Sequence, residues 1–358
     1  MIEAHFGETA PFSVGVEEEL MVLDGDSLAL APRAADLIAA SADWGLPGTL
    51  KSELFASALE LNTGICESAD EAAESLAGLR LAAAELAEER GLRLAAAGSH
   101  PISHPEEQEI AAEARYLEFV EYAGVSARRQ GVSGLHVHIG MPSSQACFHA
   151  LEGVLPWLPV VLALSVNSPY LAGQETGLMS NRAEVLAQLP RSGAPPAFNS
   201  FEDWERFIDR FVRLGMAAEY TRFWWDVRPH PSFGTLEIRM PDQPTALERT
   251  TAFVALLRGL CVSVLDRPPR EYDPAARGFY HQDRWAAARF GLRAELFHPE
   301  GERTAHASEL ASELFELIGE PGLLDTTETE ADRQLDVGRV KGLEAVCVDL
   351  CNRTVSSK

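Results

Sequence analysis

Apolar and polar residues alternate over residues 13–23, which predicts a β-strand with two unlike faces. Val14, Val16, Leu20 and Val22 fall on one side and Gly15, Glu17 and Glu19 on the other. Glu18 lands among the apolar residues, where a carboxylate needs a partner. The design recurs along the chain. Residues 58–64 alternate with Glu60 and Asn62 on one face, and Glu53 lies just upstream. Leu135, Val137 and Ile139 oppose His136 and His138. A hairpin over 221–228 and 235–240 sets Arg222, Asp226, Arg228, Thr235, Glu237 and Arg239 against Phe223, Trp225, Val227, Leu236, Ile238 and Met240. A further strand is expected at 92–97.

Helical periodicity fills the intervals. Short helices are expected at 32–42 and 109–122, and a longer one starts at Ser68 with Glu71 as its capping box and stops at Gly91. Pro142 opens another. Residues 200–214 place Trp204, Phe207, Ile208 and Phe211 on a core face, and Thr245 with Glu248 caps an apolar helix reaching Val264. Residues 173–198 read as a loop with a short helix. From about residue 244 the chain is mainly helical, with acidic loops; the run at 326–332 reads as solvated. With no internal repeat and no low-complexity linker, the prediction is one α+β domain over residues 1–358. Helices cover the apolar backs of antiparallel strands and leave the charged fronts open.

Composition narrows the partners. The 358 residues are 46% hydrophobic and carry a net charge of −24, which argues against nucleic acid and anionic membranes, since both need clustered Lys and Arg. Nucleotides held through metal ions remain compatible. The N-terminus lacks a basic region followed by an apolar run, and the apolar segment 154–166, broken by Pro156 and Pro159, reads as buried rather than spanning. Cys66, Cys147, Cys261, Cys347 and Cys351 lack CxxC spacing and read as reduced thiols of a cytoplasmic chain. Assembly into a homo-oligomer stays open.

The fronts of the strands carry the chemistry. If Glu17, Glu19, Glu53, Glu60 and Glu237 converge with His136 and His138, such a cluster cannot remain ionised without cations. Oxygen ligands with an occasional imidazole fit Mg²⁺ or Mn²⁺, two or more ions, better than zinc. Arg228 and Arg239 make the face two-signed, which suits an anion bridging metals and guanidinium groups. Asn62 and Thr63 either form the turn before Gly64 or, lying beside Glu60, contact substrate. Alternatives stay open: Arg228 could neutralise Asp226, His100 could serve a turn, and Trp224 and Trp225 read as packing.

Five segments together carry a family resemblance: Val14-Gly15-Val16-Glu17-Glu18-Glu19, Glu60-Leu61-Asn62-Thr63, the run from Gly134 to Gly140, Arg228-Pro229-His230-Pro231, and the run from Phe233 to Gln243. In this order they resemble the carboxylate–amine ligases of the type-2 glutamate–cysteine ligase kind, within the glutamine synthetase-like superfamily. The resemblance implies a curved antiparallel sheet with helices outside and an ATP-dependent ligase site on its concave face. It implies that Glu19, Glu53 and Glu60 hold one divalent ion near the substrate and the γ-phosphate, and that Glu17, His136 and Glu237 hold another on the ATP phosphates. His138 would contact phosphate, and Arg228 and Arg239 would stabilise phosphoryl transfer. Arg182, in the loop 173–182, would clamp a carboxylate. The implied reaction phosphorylates a carboxylate, such as the γ-carboxylate of glutamate, and passes the acyl group to cysteine or another amine, with Glu53 or Asp226 taking the amine proton. Two other readings are an ATP:guanidino phosphotransferase and a non-catalytic metal or amino-acid binder.

Overall fold

The computed structural model describes residues 2–270, 273 and 275–355. Its centre is an open, fully antiparallel sheet in the order β2 (Gly48–Ser52), β3 (Ala58–Thr63), β1 (Val14–Asp24), β5 (Leu135–Gly140), β9 (Thr235–Ile238) and β8 (Val227–His230), with β4 (Leu92–Ala95) paired to the far end of β1. Two small hairpins lie apart from it, β6 (Tyr170–Leu171) with β7 (Gln174–Glu175), and β10 (Glu295–Phe297) with β11 (Thr304–His306). The long β1 is the axis, pairing with β3, β4 and β5.

The backs of these strands form the core. Val14, Val16, Leu20, Leu59, Leu61, Val137, Ile139, Leu236 and Ile238 share one apolar cluster with Leu76 and Leu79 of the helix Ala69–Glu88, Leu151 of Ser144–Val154, and Phe253 and Leu257 of Leu247–Leu265. The last helix, Leu343–Val355, packs Val346, Cys347 and Leu350 against Met21, Leu23 and Ala95, so the helical C-terminal part shares its core with the sheet. By length and composition, the stretch Ser144–Ser165 is apolar enough to cross a membrane, yet 83% of its apolar window is buried inside the protein.

Glu18 finds its partner on this covered side. The Arg80 guanidinium, from Ala69–Glu88, donates to both Glu18 oxygens at 2.7 and 2.6 Å, and Gln243 and Thr250 add hydrogen bonds at 2.9 and 2.6 Å. Arg80 spends its remaining donors on the carbonyls of Thr245, Thr354 and Pro244. Both side chains are sealed, at 0% and 3% exposure, which makes this a fully satisfied buried ion pair. Burial would raise Glu18, but Arg80 outweighs it and holds the carboxyl below its usual value.

Residues 48–52 form a strand, β2, that alternation did not mark. Three local expectations need correction. The first arm of the hairpin is shorter than its alternation suggested, because Tyr220–Arg222 turns as a 3-10 helix. Thr245 does not cap the following helix: its hydroxyl donates to the Ala96 carbonyl, and the Glu330 carboxylate accepts from Thr245 N and Ala246 N at 2.8 and 3.3 Å. Glu330 is therefore buried rather than solvated, and Arg353 pairs with it at 3.1 Å. A capping residue supplied from 85 positions away leaves no local pattern.

Candidate active site

Register decides what the open face carries. Residues opposite one another in an antiparallel ladder point to the same side. Across β3, β1 and β5 the pairing sets Asn62 opposite Glu17 and Glu17 opposite His136, while Glu60 faces Glu19. Across β1, β5, β9 and β8 it sets Gly15, His138, Glu237 and Arg228 in one row. The two-residue period of each strand thus becomes a continuous acidic and imidazole surface.

Two groups of ligand-type atoms form on that surface, each with its atoms within 4.8 Å of one another. One is Glu19, Glu53 and Glu60; the other is Glu17, His138 and Glu237. Glu53 joins the first from the connection between β2 and β3, where Leu54 N donates to the Glu53 carboxylate at 3.0 Å. His136 is not in the second group. Its Nδ1 lies 3.3 Å from Glu17 and its Nε2 3.9 Å from Glu19, so it sits between the groups. His138 takes the place expected of it, with Nε2 3.7 Å from Glu17 and Nδ1 2.9 Å from the Thr235 hydroxyl.

The groups differ electrostatically. In the first, burial pushes Glu19 up to about 7, against the pull of Arg182 and with the repulsion of Glu60. Burial and the Glu19 charge push Glu53 up to about 7, and burial with Glu53 raises Glu60 well above the usual value. In the second, burial is outweighed by His136 and His138 at Glu17 and by Arg228 and Arg239 at Glu237, and both acids are held well below the carboxylate range. Burial and Arg239 push His136 down to about 4, leaving a neutral imidazole. Three carboxylates in mutual contact, Glu60 buried and Glu19 and Glu53 partly so, fit a hard divalent cation, because Arg182 and Arg239 offset only part of their repulsion. Asn62 strengthens the fit: it steadies Glu60 with a hydrogen bond while its own Oδ1 is buried without a partner.

Other expected site residues are engaged elsewhere. Arg228 does not neutralise Asp226; it chelates Glu237 and donates to the carbonyls of Thr221 and Phe223. Asp226 instead accepts from Tyr280 at 2.7 Å and Arg284 at 2.8 Å, which removes it as a candidate base. Arg239 bonds Glu237 and lies 3.4 Å from His136. Arg182 is not free to clamp a substrate. It is buried, donates to the Met240 and Arg239 carbonyls, and passes so close to Gly134 that a Cβ there would fall 2.0 Å from its Nη2. Gly134 N in turn donates to Glu19 at 2.6 Å. Thr63 points away, its hydroxyl accepting from Val16 N and donating to Gly64 O. His100 serves a turn, accepting from Ile102 N and Ser103 N. A residue without an assigned role, Gln243, links both sides of β1: its Oε1 accepts from Glu19 N and its Nε2 donates to Glu18.

Known proteins resemble this chain over most of its length. Residues 13–336 match the model of glutamate–cysteine ligase family 2. A protein named "Putative glutamate–cysteine ligase 2-3" from Rubrobacter xylanophilus is 42% identical over 314 residues, covering 87% of this chain and 85% of its own. One named "Putative glutamate–cysteine ligase 2" from Sorangium cellulosum is 32% identical over 360 residues, covering 96% of each. Among solved structures, a glutamate–cysteine ligase from Francisella tularensis in complex with AMP superposes with a TM-score of 0.72 at 14% identity, covering 97% of this chain and 89% of that one. A bifunctional glutathione synthetase from Pasteurella multocida gives 0.67 at 16%, with 96% of this chain spanning 52% of that one. These last two likenesses speak for the glutamine synthetase-like fold, and the sequence matches for the family: the chain belongs to glutamate–cysteine ligase family 2, and with it to the ATP-dependent carbon–nitrogen ligases.

Proposed function

We propose that the enzyme uses ATP to convert the γ-carboxylate of glutamate into an acyl phosphate and then transfers the glutamyl group to an amine, cysteine or another. In the first step a carboxylate oxygen attacks the γ-phosphorus and ADP leaves. In the second the amine nitrogen attacks the acyl carbon, the bond to the phosphate oxygen breaks, and phosphate departs with that electron pair. Glu53, carried on a connection rather than a strand, is the candidate to take the amine proton once Asp226 is committed to Arg284 and Tyr280. The observation that carries this reading is the pair of acid groups on one face, one uncompensated and one framed by arginines.

Glu19, Glu53 and Glu60 would hold one magnesium or manganese ion and Glu17, His138 and Glu237 another; bound there, the ions would screen the repulsion between the substrate carboxylate and the triphosphate. Arg228 keeps Glu237 fixed, and Arg239 would divide its donors between Glu237 and a phosphoryl oxygen. Asn62, with its orphaned Oδ1, would accept a hydrogen bond from a substrate ammonium. The whole chain would act as one catalytic unit, since its C-terminal helices complete the core beneath the sheet. The test is incubation with ATP, Mg²⁺, glutamate and a panel of amines, reading ADP and amide together. Stoichiometric amide and ADP are expected; ADP without amide, or no turnover with any amine, overturns the reading.

A further inference from the structure

With Arg182 committed to backbone carbonyls, the site as described has no free guanidinium for the carboxylate of an amino acid that does not react. One pair of arginines fits that need. Arg191 donates from Nε to the Arg222 carbonyl and from Nη1 to the Tyr122 hydroxyl, each at 3.1 Å. Its guanidinium carbon lies 5.7, 5.3 and 5.6 Å from the ring centres of Tyr122, Phe223 and Trp224. Its backbone sits at φ 63°, in the left-handed region, a conformation that is unfavourable for a non-glycine residue and persists where the surroundings impose it. The side chain is thus held from two sides, with Nη2 left over.

Neither Arg191 nor Arg222 has a carboxylate within ion-pair distance among the described residues, and both are half-buried. The chain has 54 acidic and 30 basic side chains, so a neighbouring acid would be easy to supply. Two half-buried guanidinium groups without one, on residues joined through the Arg222 carbonyl, match an anion that arrives from outside.

Their position connects to the reaction. Arg222 Nη2 donates to the Arg115 carbonyl at 3.5 Å, and Trp224 packs on Phe119 at 5.0 Å between ring centres. Both contacts reach the helix Ala114–Ala123, whose Tyr116 hydroxyl donates to the Ser52 carbonyl at 2.8 Å. Glu113, just before that helix, accepts from the Ser52 hydroxyl. Ser52 precedes Glu53. The helix therefore ties the approach to β8, at one end of the sheet, to the β2 end that presents Glu53.

We propose that Arg191 and Arg222 form the receptor for the non-reacting carboxylate of an amino-acid substrate, at the Glu53 mouth of the active site. The inference rests on the ligase reading. A guanidinium fixed by aromatic faces keeps Nη2 free to donate to a carboxylate and so distinguishes an amino acid from the corresponding plain amine.

The experiment compares Arg191→Gln, Arg191→Lys and Arg222→Gln with the unaltered enzyme. Glutamate is set against 4-aminobutyrate as donor, which keeps only the reacting carboxyl, and cysteine against cysteamine as acceptor. The glutamine variants are expected to raise KM about 10- to 100-fold for the carboxylate-bearing member of one pair. KM for ATP and turnover of the decarboxylated partner stay unchanged, and Arg191→Lys falls between. A change confined to the glutamate arm assigns the donor carboxylate, and one confined to the cysteine arm the acceptor's. Equal losses with both members of each pair, the mark of a merely structural role, overturn the proposal, as does no change. If the unaltered enzyme makes neither ADP nor amide, the ligase reading fails on its own. Calorimetric titration with glutamate and with cysteine then tests the arginines: weaker binding in Arg191→Gln supports them, and equal affinity or no binding overturns them.

Discussion

Glu18 and Glu19 are neighbours in sequence, the first buried and the second partly so, and have opposite fates. On the covered side of β1, Glu18 meets a complete set of donors and stays ionised below the usual carboxylate value. On the open side, Glu19 meets two more carboxylates, and burial pushes it up to about 7. The back of the sheet neutralises its charge with its own residues, while the front leaves charge to be met by a ligand. A buried ion pair that is internally satisfied fixes structure; a buried cluster that is not satisfied holds a binding capacity.

The comparison can be broken most strongly from the back. Arg80→Ala leaves Glu18 charged and unpaired, and is expected to cost about 3–5 kcal/mol of unfolding free energy in a denaturant titration. A loss under 1 kcal/mol would mean that Gln243 and Thr250 suffice. On the front, Glu19→Gln is expected to lower kcat by roughly 10³-fold, about 4 kcal/mol, while leaving the stability of the metal-free protein unchanged or higher, since a repulsive charge is removed. A metal-free protein that unfolds more readily would show that Glu19 is structural. The front should also respond to cations: magnesium at a hundred times its Kd is expected to stabilise the protein by about 2.7 kcal/mol, and Glu60→Gln to abolish most of that gain in thermal unfolding. Equal gains in both proteins would place the ion elsewhere.

The smallest effect isolates the back from other titrations. His100 is buried and pushed down to about 4 by that burial, despite its contact with the Leu28 carbonyl. Its folded value lies below its unfolded one near 6.5, so the folded state holds fewer protons and stability falls as pH drops from about 6.5 towards 4. The His100 share of the loss is expected to reach about 2 kcal/mol at pH 5, read as the difference between the pH–stability curves of the unaltered protein and His100→Gln. If the two curves stay parallel down to pH 5, His100 is not the group that titrates.

The faces of the strands were legible in the sequence because their period is local. Alternation alone separated Glu17 and Glu19 from Val16 and Leu20, and His136 and His138 from Val137, and it marked Glu18 as a residue in need of a partner. It also carried the motif series by which the family could be recognised. What it could not supply was register and reach. Arg80 stands 62 residues from Glu18 and Glu330 stands 85 from Thr245, and no short-range pattern joins them. Nor could the type of residue show whether an arginine is free: Arg182, Arg228 and Arg191 look alike in sequence, and only packing separates one locked on backbone carbonyls, one chelating Glu237, and one held by aromatic rings with a donor to spare. The sequence by itself determined which side chains face which way on each strand, because two-residue periodicity is a property of the local backbone. The tertiary structure decided which of those charges are neutralised, because that depends on segments brought together only when the sheet closes on its helices.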